Sequence, residues 1–106
     1  MTKAYTNSSN EIVKRLIDEF GYSEYGAQIV AKKLLLSVPE VKSAFFSWWQ
    51  TGMIDNELEV EGYSVIRLLS EHDMTPIGAF LTLDWLFRDP SAAINSLEKG
   101  HDIIVG

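Results

Sequence analysis

Histidines and carboxylates are the side chains of this 106-residue chain best suited to chemistry. His72 and His101 each precede an aspartate, but two His-Asp steps lack the ligand spacing of a zinc site. Both lie near the ends of predicted helices, where an imidazole stabilises the last carbonyl groups. The sequence has no Gly-x-Ser-x-Gly motif and no glycine-rich phosphate loop. It therefore predicts no catalytic, metal-binding or cofactor-binding residue.

An acidic stretch between residues 53 and 62 offers a second set of candidate ligands. It lacks the glycine and the spacing of a calcium-binding loop, so we expect a solvated segment. Acidic and other residues alternate there, which also fits one short strand over 56–60 paired with the tail at 102–105. The four acids are Asp55, Glu57, Glu59 and Glu61.

Asp84 is the most suggestive single carboxylate, because it lies among apolar residues of a predicted helix. An unpaired charge in such a place is costly, so we predict a cationic partner. Arg88, four residues further on, is one candidate. Lys32, at the equivalent position of the repeat described below, is the other. A role for Asp84 as general acid or base would need a second polar group and a pocket, and the sequence indicates neither.

Composition and charge narrow the classes of function. The chain has no cysteine, which excludes thiolate chemistry and fits a reducing compartment. No signal peptide and no apolar run of about 20 residues is present, so we expect a cytoplasmic protein that does not enter a membrane. Residues 53–106 carry three Lys/Arg against ten Asp/Glu, and residues 1–52 carry six against five. The acidic second half disfavours a nucleic acid partner.

Caps, prolines and glycines mark six helices, so the predicted fold class is all-α. Thr75-Pro76 and Asp89-Pro90 are the clearest starts, since a capping oxygen precedes a proline in the first turn. The predicted spans are 8–20, 23–37, 39–51, 63–72, 75–88 and 90–99.

A shift of 52 positions superimposes parts of the sequence on themselves, which indicates an internal duplication. The matching pairs are Arg15 and Arg67, Glu19 and Glu71, Ser23 and Thr75, Gly26 and Gly78, and Ala27 and Ala79. We therefore predict a single compact domain, 1–106, in which two related three-helix units share one core. The first repeat spans 8–52, an acidic joint 53–62, the second repeat 63–100 and a tail 101–106.

The third and fifth predicted helices carry more aromatic surface than one side of a helix needs. Two interpretations stay open. This surface is an internal seam between the repeats, which we favour, or it binds a partner. The candidate interaction residues are Phe46, Trp49, Ile77, Phe80, Asp84 and Trp85.

The leading hypothesis is a small, non-catalytic, cytoplasmic protein that binds another protein or itself, for example as a homodimer. One alternative is a degenerate tandem regulator that resembles a helix-turn-helix with a wing and binds DNA or a DNA-binding partner. In that case the third or sixth helix would read DNA. Neither helix offers an arginine for guanine or a row of phosphate contacts. A second alternative is a small enzyme with an unrecognised site around Asp84.

Overall fold

The computed structural model describes residues 9–54 and 57–99, and these residues are predominantly helical. The helical class predicted from the sequence is thereby confirmed, with one small sheet added. The chain divides into two compact units after Leu36, and each unit is described by itself. In chain order the elements are α1 (Ser9–Phe20), α2 (Glu24–Leu35), α3 (Pro39–Thr51), β1 (Glu59–Val60), β2 (Tyr63–Ser64), α4 (Val65–Glu71), α5 (Pro76–Arg88) and α6 (Pro90–Glu98).

The first unit contains the two contacting helices α1 and α2. Gly21 follows α1 with a φ of 75°, a left-handed conformation that glycine adopts without a Cβ penalty. Ser23 then caps α2, and its hydroxyl accepts a hydrogen bond from the Gly26 N–H at 3.0 Å. Apolar residues at helical spacing turn inward on both helices. These buried residues are Ile12, Leu16, Ala27, Ala31 and Leu34.

In the second unit, α5 contacts α3, α4, α6 and β1. Neighbours on several sides explain why the sequence of α5 is apolar almost all the way round. The one buried hydroxyl on this helix, that of Thr82, donates to the Gly78 carbonyl at 2.8 Å, so burying it leaves no unmet donor. The buried residues of α5 are Ile77, Gly78, Ala79, Phe80, Thr82, Leu83 and Leu86.

A tight hairpin connects β1 to β2, which pair antiparallel. Glu61 and Gly62 form the turn and both have positive φ, 53° and 85°, as the mirror-image turns of tight hairpins require. Arg67 stabilises this turn through two contacts. Its Nη1 donates to the Gly62 carbonyl at 2.9 Å, and its guanidinium lies 4.4 Å from the centre of the Tyr63 ring.

The predicted start of the fourth helix at residue 63 is wrong, because this helix begins at Val65. Tyr63 belongs to β2, and Ser64 caps α4 by accepting the Arg67 N–H at 3.1 Å. Of the strand expected over 56–60, only Glu59 and Val60 form a strand, β1, whose described partner is β2. A two-residue turn closes this pairing at low entropic cost, whereas a distant tail would have to close a long loop. The expected partner, 102–105, lies outside the described residues.

Most other boundaries were predicted correctly. Gly52 follows α3 with a φ of 77°, and Thr75 and Asp89 cap α5 and α6. The second helix was predicted to reach residue 37 but ends at Leu35, because Pro39 favours an extended conformation at Val38. Predictions that fall on Ser8, Asp55, Asn56, Gly100, His101 and the rest of the tail lie outside the described residues.

The predicted organisation into repeats stays a prediction. The division into units after Leu36 assigns α3 to the second unit, whereas the two predicted repeats are separated by the joint 53–62. A compact unit is defined by contacts between its residues and a repeat by common descent of its sequence, so the two boundaries need not coincide.

Candidate functional site

Asp84 has two hydrogen-bonded partners in the second unit. Its Oδ1 accepts the backbone N–H of Val38 at 2.8 Å, and its Oδ2 accepts from Arg88 Nε at 2.9 Å. Val38 is the N-cap residue of α3 and provides no side-chain cap of its own. The Asp84 carboxylate, 17% exposed, therefore caps α3 from a helix 46 residues further along the chain. A negative charge is also favourable at the positive end of a helix.

These contacts give Asp84 a structural role, because they join α5 to the start of α3. The predicted pairing with Arg88 is confirmed, and the Val38 contact was missed because it joins residues far apart in the sequence. The pairing with Lys32 stays a prediction. Both oxygens of Asp84 accept a hydrogen bond, and neither partner is a nucleophile or a proton carrier of the kind that an active site needs.

The candidate interaction residues on α3 meet α5 in an aromatic cluster. The Phe80 ring lies 5.7 Å from Phe45 and 5.8 Å from Trp48, measured between ring centres. The Trp49 ring lies 5.2 Å from Phe45, and the Phe46 ring 5.0 Å. Edge-to-face and tilted arrangements at these distances are favourable between aromatic rings. The cluster supports the interpretation of this surface as an internal seam.

Burial divides the six candidates. Trp49, Ile77 and Phe80 are buried, so a partner could reach them only if the unit opened. Phe46, Trp85 and Asp84 are partly accessible. The structure thus brings Phe46, Trp49 and Phe80 into one cluster and leaves no continuous exposed surface made of all six. Their role in binding stays a prediction.

A shallow groove beside the first turn of α3 has a volume of about 560 Å³. It is open to solvent and holds none of the six candidate residues. Two carboxylates and one hydroxyl are its side-chain polar groups, without a histidine or lysine that could exchange a proton with them near neutral pH. Its lining residues are Pro39, Glu40, Ser43, Ala44, Glu57 and Leu58.

The outer surface of α2 carries an apolar stripe that the sequence analysis missed. Tyr25 is 76% exposed, Leu36, the C-cap residue, 63% and Ile29 39%. At 3.6 residues per turn these positions lie about 120–180° round the helix from the buried residues Ala27 and Ala31. The helix therefore has two apolar sides, one buried and one exposed. We call Tyr25, Ile29 and Leu36 the α2 stripe.

Charged side chains flank the α2 stripe. Lys32 lies beside the stripe on one side and Lys33 on the other, and both are exposed. Neither ammonium group makes a salt bridge in the part of the chain that the structure describes. The lysines of α2 thus differ from Lys14 on α1, whose ammonium lies 2.8 Å from Asp18. Spacing of i, i+4 and i+11 in the sequence could have revealed the stripe, but Gln28 and the two lysines made this side look wholly solvated.

Shifted pKa values do not mark a second site. Hydrogen bonds to Asp18 and Glu71 raise the pKa of Lys14 and of Arg67, respectively, and burial raises the pKa of the Tyr22 phenol. The two cations are in surface pairs along single helices, which contribute little to stability. These groups do not converge on a common pocket, as the groups of an active site do.

Other classes of site leave no trace in residues 9–54 and 57–99. No three His, Cys, Asp or Glu side chains come together there as a metal site would require. None of the helices in these ranges combines the length and the hydropathy needed to cross a membrane. No family model, curated protein or solved structure matches the chain significantly.

Proposed function

We propose that this chain is a small, non-catalytic module of the cytoplasm that binds another protein molecule through the α2 stripe. The exposure of Tyr25, Ile29 and Leu36 on the side of α2 opposite its buried residues supports the proposal. Isolated exposed apolar residues are ordinary on protein surfaces, but an aligned set on one helix is typical of a binding surface. An apolar stripe at helical spacing is also what a helix uses to dock on a partner.

The residue types of the α2 stripe suit this task. Tyrosine is enriched among residues that dominate binding energy, because its ring buries a large area and loses little conformational freedom. The exposed lysines beside the stripe add charge without blocking it, and their long stems extend the apolar surface. Of the six candidates from the sequence, Phe46 and Trp85 stay in the proposal as partly accessible residues of the second unit. Trp49, Ile77, Phe80 and Asp84 serve it by holding that unit together.

The internal duplication is part of the proposal. Two local features at positions 52 residues apart support it. Thr75 accepts the Gly78 N–H at 3.1 Å, as Ser23 does from Gly26 at 3.0 Å. The i, i+4 pairs also match, with Arg15–Glu19 at 3.2 Å and Arg67–Glu71 at 2.9 Å. In the second copy, the positions equivalent to Tyr25 and Ile29 are Ile77 and Leu81, which belong to the central helix α5.

This difference between copies gives the duplication a functional meaning. Ile77 is 2% exposed and Tyr25 76%, although both directly follow the first residue of their helix. In the second copy this apolar side of the helix packs in the interior of the second unit. In the first copy it is exposed and binds a partner.

Site-specific crosslinking tests the proposal. Replacing Tyr25 with the photoreactive residue p-benzoylphenylalanine, in the full chain and in its source cell, is expected to give discrete protein adducts on illumination. The same residue at Ser91, exposed on α6, is the control for random collision. Adding Ile29→Ser to the Tyr25 variant is expected to abolish the adducts, because it places a polar group in the same stripe. Equal labelling from positions 25 and 91 would contradict the proposal.

A further inference from the structure

A row of charged and polar residues runs beside the α2 stripe. Glu24, Gln28 and Lys32 are spaced four residues apart, so they follow one side of the helix. Their charges read negative, neutral, positive from the first turn to the last. All three side chains are exposed, and neither Glu24 nor Lys32 makes a salt bridge within the described part of the chain.

When a second copy of the helix runs in the opposite direction, the negative end of its row lies beside the positive end of the first. From this we propose that the partner of the α2 stripe is a second copy of this chain, packed with its α2 antiparallel to the first. A twofold axis level with Gln28 would set Glu24 of one copy level with Lys32 of the other, since each lies about 6 Å from Gln28 along the helix. Two equivalent ion pairs would close the contact. Parallel packing would instead set like charges side by side.

The apolar residues fit the same register. Tyr25 lies about 4.5 Å on one side of the Gln28 level and Ile29 about 1.5 Å on the other, by the rise of a helix. The antiparallel arrangement therefore sets each Tyr25 ring near Ile29 and the stem of Lys32 in the partner copy. Both sets of contacts repeat across the axis, as a closed symmetric dimer requires.

The proposed contact between the two helices is small. A 12-residue helix is about 18 Å long, so the pair lies at the small end of protein interfaces. Salt should weaken the dimer, because the ion pairs lie at the rim and are screened. We therefore expect reversible association in the micromolar to millimolar range rather than a permanent dimer. This inference rests on the proposed function, because it names the partner of the α2 stripe.

Charge reversal tests the pairing. We would measure dimerisation of the full chain by sedimentation equilibrium in low salt, with far-UV circular dichroism to confirm that each variant is folded. Glu24→Lys and Lys32→Glu are each expected to weaken the dimer about tenfold or more, since each sets like charges level across the axis. The double variant Glu24→Lys/Lys32→Glu restores opposite charges and is expected to regain most of the affinity.

Lys33→Glu is the matched control. It changes the net charge as Lys32→Glu does, but Lys33 lies on the other side of the stripe, and we expect less than about a twofold effect from a rim charge without an opposing partner. A native chain that stays monomeric up to about 1 mM, or a double variant no better than its parents, would overturn the antiparallel dimer. Adducts from position 25 with a different protein would then still uphold the proposed function, and their absence would remove both.

Discussion

Replacing Phe80 with alanine is expected to lower the free energy of unfolding by about 3–5 kcal/mol, as removal of a large buried aromatic side chain does in well-packed cores. Phe80 is 1% exposed and contacts the rings of Phe45 and Trp48 across the boundary between α5 and α3. The cavity would thus fall where two helices are held together. Urea or guanidinium unfolding, followed by tryptophan fluorescence and circular dichroism, measures the loss.

Phe87→Ala is the control for Phe80→Ala. It removes the same side chain from the same helix at a position 39% exposed, so only part of the ring's transfer free energy is at stake. We expect a loss of about 1 kcal/mol or less. Similar losses for the two variants would mean that Phe80 is not buried as described, and would restore it as a candidate for the binding surface.

Replacing Asp84 with alanine is expected to cost about 1.5–3 kcal/mol of stability. The substitution removes a charge-assisted hydrogen bond and leaves the Val38 N–H without its acceptor at the start of α3. Amide hydrogen exchange adds a local readout, since the Val38 N–H should exchange faster in the variant than in the native chain. The same unfolding measurements give the total effect.

Two further variants separate the contributions that the Val38 and Arg88 contacts of Asp84 make to stability. Arg88→Ala removes the more exposed partner of the ion pair and is expected to cost less than about 1 kcal/mol, as surface pairs do. Asp84→Asn keeps an oxygen that can accept the Val38 N–H, so it should lie between the alanine variants. An Asp84→Ala variant as stable as the native chain would show that the capping contact does not stabilise α3.

Local signals explain which elements could be predicted from the sequence. The start of α5 needs only a hydroxyl at Thr75 followed by proline, and its N-cap geometry involves residues three positions apart. The end of α3 likewise needs only Gly52, whose left-handed φ is favourable for glycine. Such features depend on neighbours in the chain, so they are visible without knowledge of the fold.

Contacts between distant residues explain what the sequence did not reveal. The acceptor for the Val38 N–H is Asp84 on α5, and no sequence pattern around Val38 indicates it. The hairpin was missed for a different reason, because its turn uses Glu61 with a positive φ where asparagine or glycine is usual. The alternating acids therefore predicted either a joint between the repeats or a strand that pairs with the tail.

Hydrophobicity alone does not show which apolar residues are accessible to a partner. The helices richest in aromatic residues, α3 and α5, bury Phe45, Trp49 and Phe80 within the second unit. A surface for a partner stands out by exposure, and only the structure assigns exposure. Tyr25 and Ile77 each follow the first residue of their helix, yet one is exposed and the other is buried. A helical wheel treats both alike.

The proposed function requires a partner to cover the α2 stripe in the cell. Hydroxyl-radical labelling of the native chain, in dilute purified form and in its source cell, tests this most directly. Tyr25 and Met53 have similar exposure, 76% and 73%, so Met53 serves as the internal reference. We expect labelling of Tyr25 to fall several-fold in the cell while that of Met53 does not. Equal labelling of Tyr25 in both settings would contradict the proposed function.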